Sequence, residues 1–115
     1  MEIKIIFIYV TNPTRRVARM VANTLIGKRL IACANIFPIE SVYRWKGKVV
    51  HEKEWVMIGK TLETHYNSIK KEVEKMHPYD IPCIAKIPAQ ANKAYKNWVA
   101  KEIGTSSCTK VRGFL

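Results

Sequence analysis

His77-Pro78-Tyr79-Asp80-Ile81-Pro82 places an imidazole, a phenol and a carboxylate within six residues. Imidazole and carboxylate are ligands for divalent metals and the usual carriers of protons in catalysis. The two prolines make the window rigid, since proline holds its own φ at about −65° and drives the residue before it out of the α region. His77 is therefore predicted to end a helix and Ile81 to be extended already. The motif is a fixed corner from helix to strand, and the remaining elements must give it its surroundings.

Upstream, Ile3 to Thr11 is apolar at nearly every position and rich in β-branched and aromatic residues, which predicts a strand covered on both faces. Asn12-Pro13 reads as an N-cap followed by a first-turn proline, opening a helix to about Lys28 with Val17, Ala18, Val21, Ala22 and Leu25 as its buried stripe. Leu30 to Trp45 is extended, with Pro38 marking an edge or a bulge. Lys46-Gly47 makes a tight turn into a second long strand, Lys48 to Thr61. The resulting hairpin is long enough to protrude, with Tyr43, Trp45 and Trp55 expected near its tip and in want of a partner surface. Tyr66, Ile69, Val73 and Met76 give a one-faced helix that stops at His77-Pro78. A short strand from Ile81 to Ile87 and a last helix from Asn92 to Ile103, packing through Tyr95, Trp98 and Val99, complete a domain over 1–103. Residues 104–115 are small, polar and basic, and are expected to form a mobile tail.

Strand, helix, strand, strand, helix, strand and a terminal helix is the α+β order of a ferredoxin-like split βαβ fold. Its crossovers put both central helices on one face of an antiparallel sheet. The other face then needs cover, and self-association through it and the hairpin is the economical answer.

The 115 residues suit a single domain, and 48% hydrophobic with 25% charged residues is a globular composition. The apolar runs are far shorter than the roughly 20 residues of a membrane span, so no membrane partner is expected. The first residues run straight into a strand pattern without the features of a secretory signal, from which a cytoplasmic location is expected. Cys33, Cys83 and Cys108 have no paired spacing and read as free thiols, the first two as small buried hydrophobes. His51 and His65 read as solvated. The net charge of +11 would attract anions, but the basic residues are spread through every segment, and a binding patch requires that they cluster in space. Nucleic acid is not an expected partner, because no segment has the alternating basic, Gly and aromatic pattern of an RNA-recognition sheet. No nucleophile motif, Gly-rich phosphate loop or paired catalytic carboxylates occur, so the chain is not read as an enzyme.

Leu30 to Ile36, Ser41 to Lys48 (Ser-Val-Tyr-Arg-Trp-Lys-Gly-Lys), Lys60-Thr61, His77 to Pro82 and Tyr95-Lys96-Asn97-Trp98 together resemble the CutA divalent-cation tolerance family. The likeness spans Ile3 to about Ile103. It implies a homotrimer similar in architecture to the PII signalling proteins, in which neighbouring subunits extend one another's sheets. It also implies binding of copper or other divalent metal ions and a role in the response to them. Some members of that family carry a cysteine where this chain has Val10 and a second histidine where it has Met76. His77 alone remains, and metal sites use three or four ligands. Asp80, the Met76 thioether or His77 of another subunit would have to complete the set, with Met76 and Cys33 better suited to Cu(I) than Cu(II). The metal candidates are thus His77 and Asp80. Trimers of this kind leave clefts between subunits, and Tyr43, Lys60 and Tyr79, with His77, are candidates to line one and take an anion or nucleotide as a PII-like sensor would.

Overall fold

A computed structural model of the protein describes residues 3–104, so all but the first residue of the expected tail lies outside it. The apolar N-terminal run becomes β1 (Ile5–Asn12), followed by α1 (Arg15–Gly27), β2 (Cys33–Trp45), β3 (Lys48–Leu62), a single 3-10 turn (Glu63–His65), α2 (Tyr66–Met76), β4 (Ile84–Ala89) and α3 (Lys93–Glu102). The strands form one antiparallel sheet in the order β2-β3-β1-β4, which is the ferredoxin-like arrangement. Among the described residues no helix is long and apolar enough to cross a membrane.

Successive strand residues face opposite sides of the sheet, and that alternation assigns its two faces. Ile6, Ile8 and Val10 of β1 and Met57 of β3 turn toward the helices. There they meet Ala18, Val21, Ala22 and Leu25 of α1 and Ile69 and Val73 of α2, all buried in one core. Phe7, Tyr9 and Thr11 face the other way, opposite Lys60, Ile58 and Val56 of β3. On that outer face α3 covers one end: Lys60 Nζ lies 5.6 Å from the Phe7 ring and 5.9 Å from the Tyr95 ring. The rest of the outer face keeps Phe37 and Ile87 exposed.

Several boundaries differ from the sequence expectation, each for a local reason. Thr14, not Asn12, caps α1. Its backbone is extended and its hydroxyl accepts the Val17 N–H at 3.1 Å, while the Asn12 side chain is fully buried and used elsewhere. The last strand starts at Ile84 rather than Ile81 and passes through Pro88, opposite Ile6. Proline is tolerated there because β4 is an edge strand, as β2 with Pro38 is at the opposite edge. Trp55 is not near the hairpin tip: it pairs with Asn12 and Pro38 and packs against the helical core. The tip is the turn Lys46-Gly47, both with positive φ (50° and 78°), the two-residue geometry that matches the twist of a hairpin. Tyr43 and Trp45 flank it, and the long hairpin stretches the molecule to 50 Å against 26 and 20 Å.

Candidate functional site

The corner at His77 forms as the prolines require. His77 is the C-cap of α2 with an extended backbone (φ −77°, ψ 136°), and its N–H still reaches the Val73 carbonyl at 2.9 Å. The ring turns inward and is nearly buried. Tyr79 N–H donates to Nδ1 at 3.2 Å, so Nε2 carries the hydrogen and donates to the Thr11 carbonyl at 2.9 Å and to Asn12 Oδ1 at 3.1 Å. Burial lowers the imidazole pKa below its ordinary value, with the Thr11 carbonyl and Glu54 pulling weakly the other way. The ring is thus held neutral with both nitrogens engaged. It can bind a metal only by giving up one of these bonds.

Asn12 completes the junction. Its Nδ2 donates to the Val10 carbonyl at 3.1 Å and the Trp55 carbonyl at 3.0 Å, so one amide joins the end of β1, β3 and the His77 ring. The Tyr79 ring packs on His77 with centroids 4.8 Å apart and sends its hydroxyl to Glu54 Oε2 at 2.5 Å. Glu54 is only 6% exposed, and this phenol is the donor the structure gives it. Burial, and then the bond to Glu54, push the Tyr79 pKa well up, so the phenol stays protonated and donating.

Beyond this junction the outer face opens into a cleft of about 670 Å³ between the hairpin and the 77–83 segment. Its lining includes Thr11, Tyr43, Glu54, Tyr79, Asp80 and Cys83. Tyr43 donates to Glu52 Oε1 at 2.6 Å, which with some burial raises its pKa as well. The Cys83 thiol is pushed up by burial and then by Glu54, and remains a thiol at neutral pH.

Of the residues singled out in the sequence, Tyr43, Tyr79 and Asp80 come together around this cleft. His77 stands behind it as the support of Tyr79. Lys60 does not line it; its ammonium group sits between the Phe7 and Tyr95 rings under α3. Cys83, read as a buried hydrophobe, is exposed in the cleft, and Cys33 is half-buried beside Tyr95. His51 is exposed as expected, whereas His65 is half-buried and bonded to the Gly104 carbonyl and to Thr64. Glu54 was missed, although the sequence holds a signal for it. It is in phase with Val56 and Ile58 on the same face of β3, where a carboxylate needs a reason to be. Among the described residues no three His, Cys, Asp or Glu side chains converge to hold a metal ion.

Residues 6–102 match the family described as CutA1 divalent ion tolerance protein. The divalent-cation tolerance protein CutA of Archaeoglobus fulgidus is 39% identical over 98 residues, 84% of this chain and 96% of that protein. The CutA of Thermus thermophilus is 37% identical over 99 residues, again 84% of this chain and 96% of the relative. Among solved structures, CutA1 from Oryza sativa superposes with a TM-score of 0.87 at 35% identity, covering 90% of this chain and 97% of that one. The structure of the Archaeoglobus fulgidus protein, there called periplasmic, gives 0.83 at 38% identity over 85% of this chain and 97% of its own. With the sheet order, the hairpin and the His77 corner all in place, the chain belongs to the CutA1 divalent ion tolerance protein family.

Proposed function

We propose that the protein is a cytoplasmic, non-catalytic homotrimer that serves divalent-cation tolerance by taking up a divalent metal ion, copper among them, at the cleft beside Tyr79. The observation that carries this reading is that Glu54, Asp80 and Cys83 all line one cleft, spread too widely to hold an ion by themselves. A metal needs three or four ligands in close array, so the cleft acts as one wall of a site that a neighbouring subunit completes. The exposed Phe37 and Ile87 of the outer face, and Val42, Trp45 and Val49 of the hairpin, supply apolar surface for that neighbour. Asp80 is the accessible ligand, with Cys83 losing its proton to the metal as it binds. His77 holds Tyr79 and the corner in place behind them. Calorimetric titration with Cu(II) and Zn(II) tests this: Asp80→Asn should weaken binding about tenfold or more. Unchanged isotherms in both Asp80→Asn and Cys83→Ser would remove the cleft from the metal account.

The size of the cleft favours a second reading, a PII-like sensor of a small molecule. Its volume falls within the roughly 300–1,000 Å³ of ligand sites and is far more than one ion needs. With Glu54 and Asp80 in the lining and Lys60 elsewhere, its charge suits a neutral or cationic compound better than a nucleotide phosphate. A thermal-shift screen of nucleotides, phosphorylated metabolites and organic amines separates these classes. No shift at millimolar concentration by any of them would leave the metal reading alone.

A further inference from the structure

The fold sorts charges that are scattered along the sequence. From residue 3 to residue 39 there is no Asp or Glu, and this stretch contains the whole of α1. Arg15, Arg16, Arg19, Lys28 and Arg29 lie along and just beyond that helix, all exposed. α2 packs on the same face of the sheet and adds Lys70, Lys71 and Lys75. The carboxylates α2 brings are Glu72 and Glu74, and Glu72 is already shared between Lys28 at 2.8 Å and Lys75 at 3.5 Å. This pairing holds Glu72 below the usual carboxylate range, with Lys28 the main cause. Glu52, Glu54 and Asp80 are instead gathered about the cleft and hairpin. The helix layer is therefore strongly cationic, with Glu72 and Glu74 its acids, while Glu52, Glu54 and Asp80 lie on the cleft side.

We propose that this helix layer is a binding surface for the phosphate backbone of double-stranded nucleic acid, engaged without base reading. Arg15, Arg16, Arg19, Met20 and Asn23 line a shallow groove of about 540 Å³ along α1, where guanidinium groups and an amide present planar donors suited to phosphate oxygens. α1 from Arg15 to Gly27 is about 18 Å long at 1.5 Å per residue, enough to meet several successive phosphates. An anionic membrane fits less well. The apolar stripe of α1, Ala18, Val21, Ala22 and Leu25, is buried against the sheet, and the open side offers only Met20 and Ile26 to a bilayer. The RNA-recognition pattern absent from the strands is not involved, because the sheet is not the binding face.

Fluorescence anisotropy with the full chain and a labelled 24-base-pair DNA duplex, read from 50 to 200 mM KCl, tests the proposal. Binding should be micromolar at low salt, and log affinity should fall against log salt with a slope of about −4 to −6, the mark of five or six phosphate contacts. R16E/R19E should weaken binding at least about tenfold and flatten the slope by about 2. K93E/K101E changes the charge equally on α3 and should alter affinity less than about threefold. Circular dichroism checks that both variants fold; R16Q/R19Q replaces the glutamates if they do not, with the same direction expected. Equal weakening by the two charge-matched pairs would overturn the proposal in favour of undirected attraction. So would the absence of binding at 50 mM KCl. Co-sedimentation with phosphatidylserine-containing vesicles that R16E/R19E abolishes, with no duplex binding, would assign the surface to membranes instead.

Discussion

The Tyr79 hydroxyl and the Glu54 carboxylate are each other's main reason for being where they are. Glu54 is buried on a sheet face among apolar neighbours, and a buried carboxylate without its donor is costly. Tyr79→Phe is expected to destabilise the protein by about 1–3 kcal/mol in urea unfolding. The double variant with Glu54→Leu should cost less than the sum of the two single changes, since it removes the orphaned charge along with its partner. Strict additivity would mean that the two groups do not depend on one another. His77 leads to a pH prediction. In the unfolded chain its ring takes up a proton below about pH 6.5, while in the folded protein burial keeps it neutral to lower pH. The stability it contributes is thus complete above about pH 6.5 and drains as pH falls toward the depressed folded pKa, by at most about 1.4 kcal/mol per pH unit. Unfolding free energies measured from pH 7 to 5 should show this loss, and His77→Gln should flatten it. The carboxylates Glu63 and Glu72, lowered by Lys86 and Lys28, act only in the more acidic range and do not confuse the window.

At the scale of elements, close packing between the loop before β2 and the C-terminal part of β3 offers a sharp test. A Cβ on Gly59 would lie 3.1 Å from Ile31 Cγ2 and 3.2 Å from Cδ1, and Ile31 is itself buried in the core. Gly59→Ala should cost about 1–3 kcal/mol by overpacking, and Ile31→Val in the same chain should recover part of it. Failure of the second change to help would mean that the strand shifts instead. The elements were also the most legible level of the sequence. Period-3.6 apolar stripes fixed the inward faces of α1 and α2, and the two prolines fixed the corner at His77. What sequence alone obscured were choices between equivalent partners. Asn12 and Thr14 are both good caps, and only the buried demand of the Val10 and Trp55 carbonyls decides that Asn12 goes inward. Lys60 lies in β3 and Tyr79 in the bend between α2 and β4, and only the assembled fold shows that one lies under α3 and the other at the cleft. The site was thus half legible: its corner and phenols from local pattern, its buried carboxylate and charge sorting only from the fold.

For the whole molecule, the uncovered part of the outer face should decide the state of assembly. Sedimentation velocity is expected to give three times the mass of the chain, and Ile87→Glu, which puts a charge on the exposed apolar surface beside β1, should shift the boundary toward the monomer. A wild-type monomer at micromolar concentration would remove the trimer from the functional account. The edges of the sheet set a limit on what such association can become. β2 and β4 are the two outermost strands, and each carries a proline, Pro38 in one and Pro88 in the other. Every proline takes an amide donor out of the row that an incoming strand would template upon. Pairing between copies is therefore restricted to short, self-limiting stretches. A chain that presents this much β-structure and apolar surface is in this way protected against endless strand addition, and slow amyloid growth on prolonged heating should appear only once both prolines are replaced.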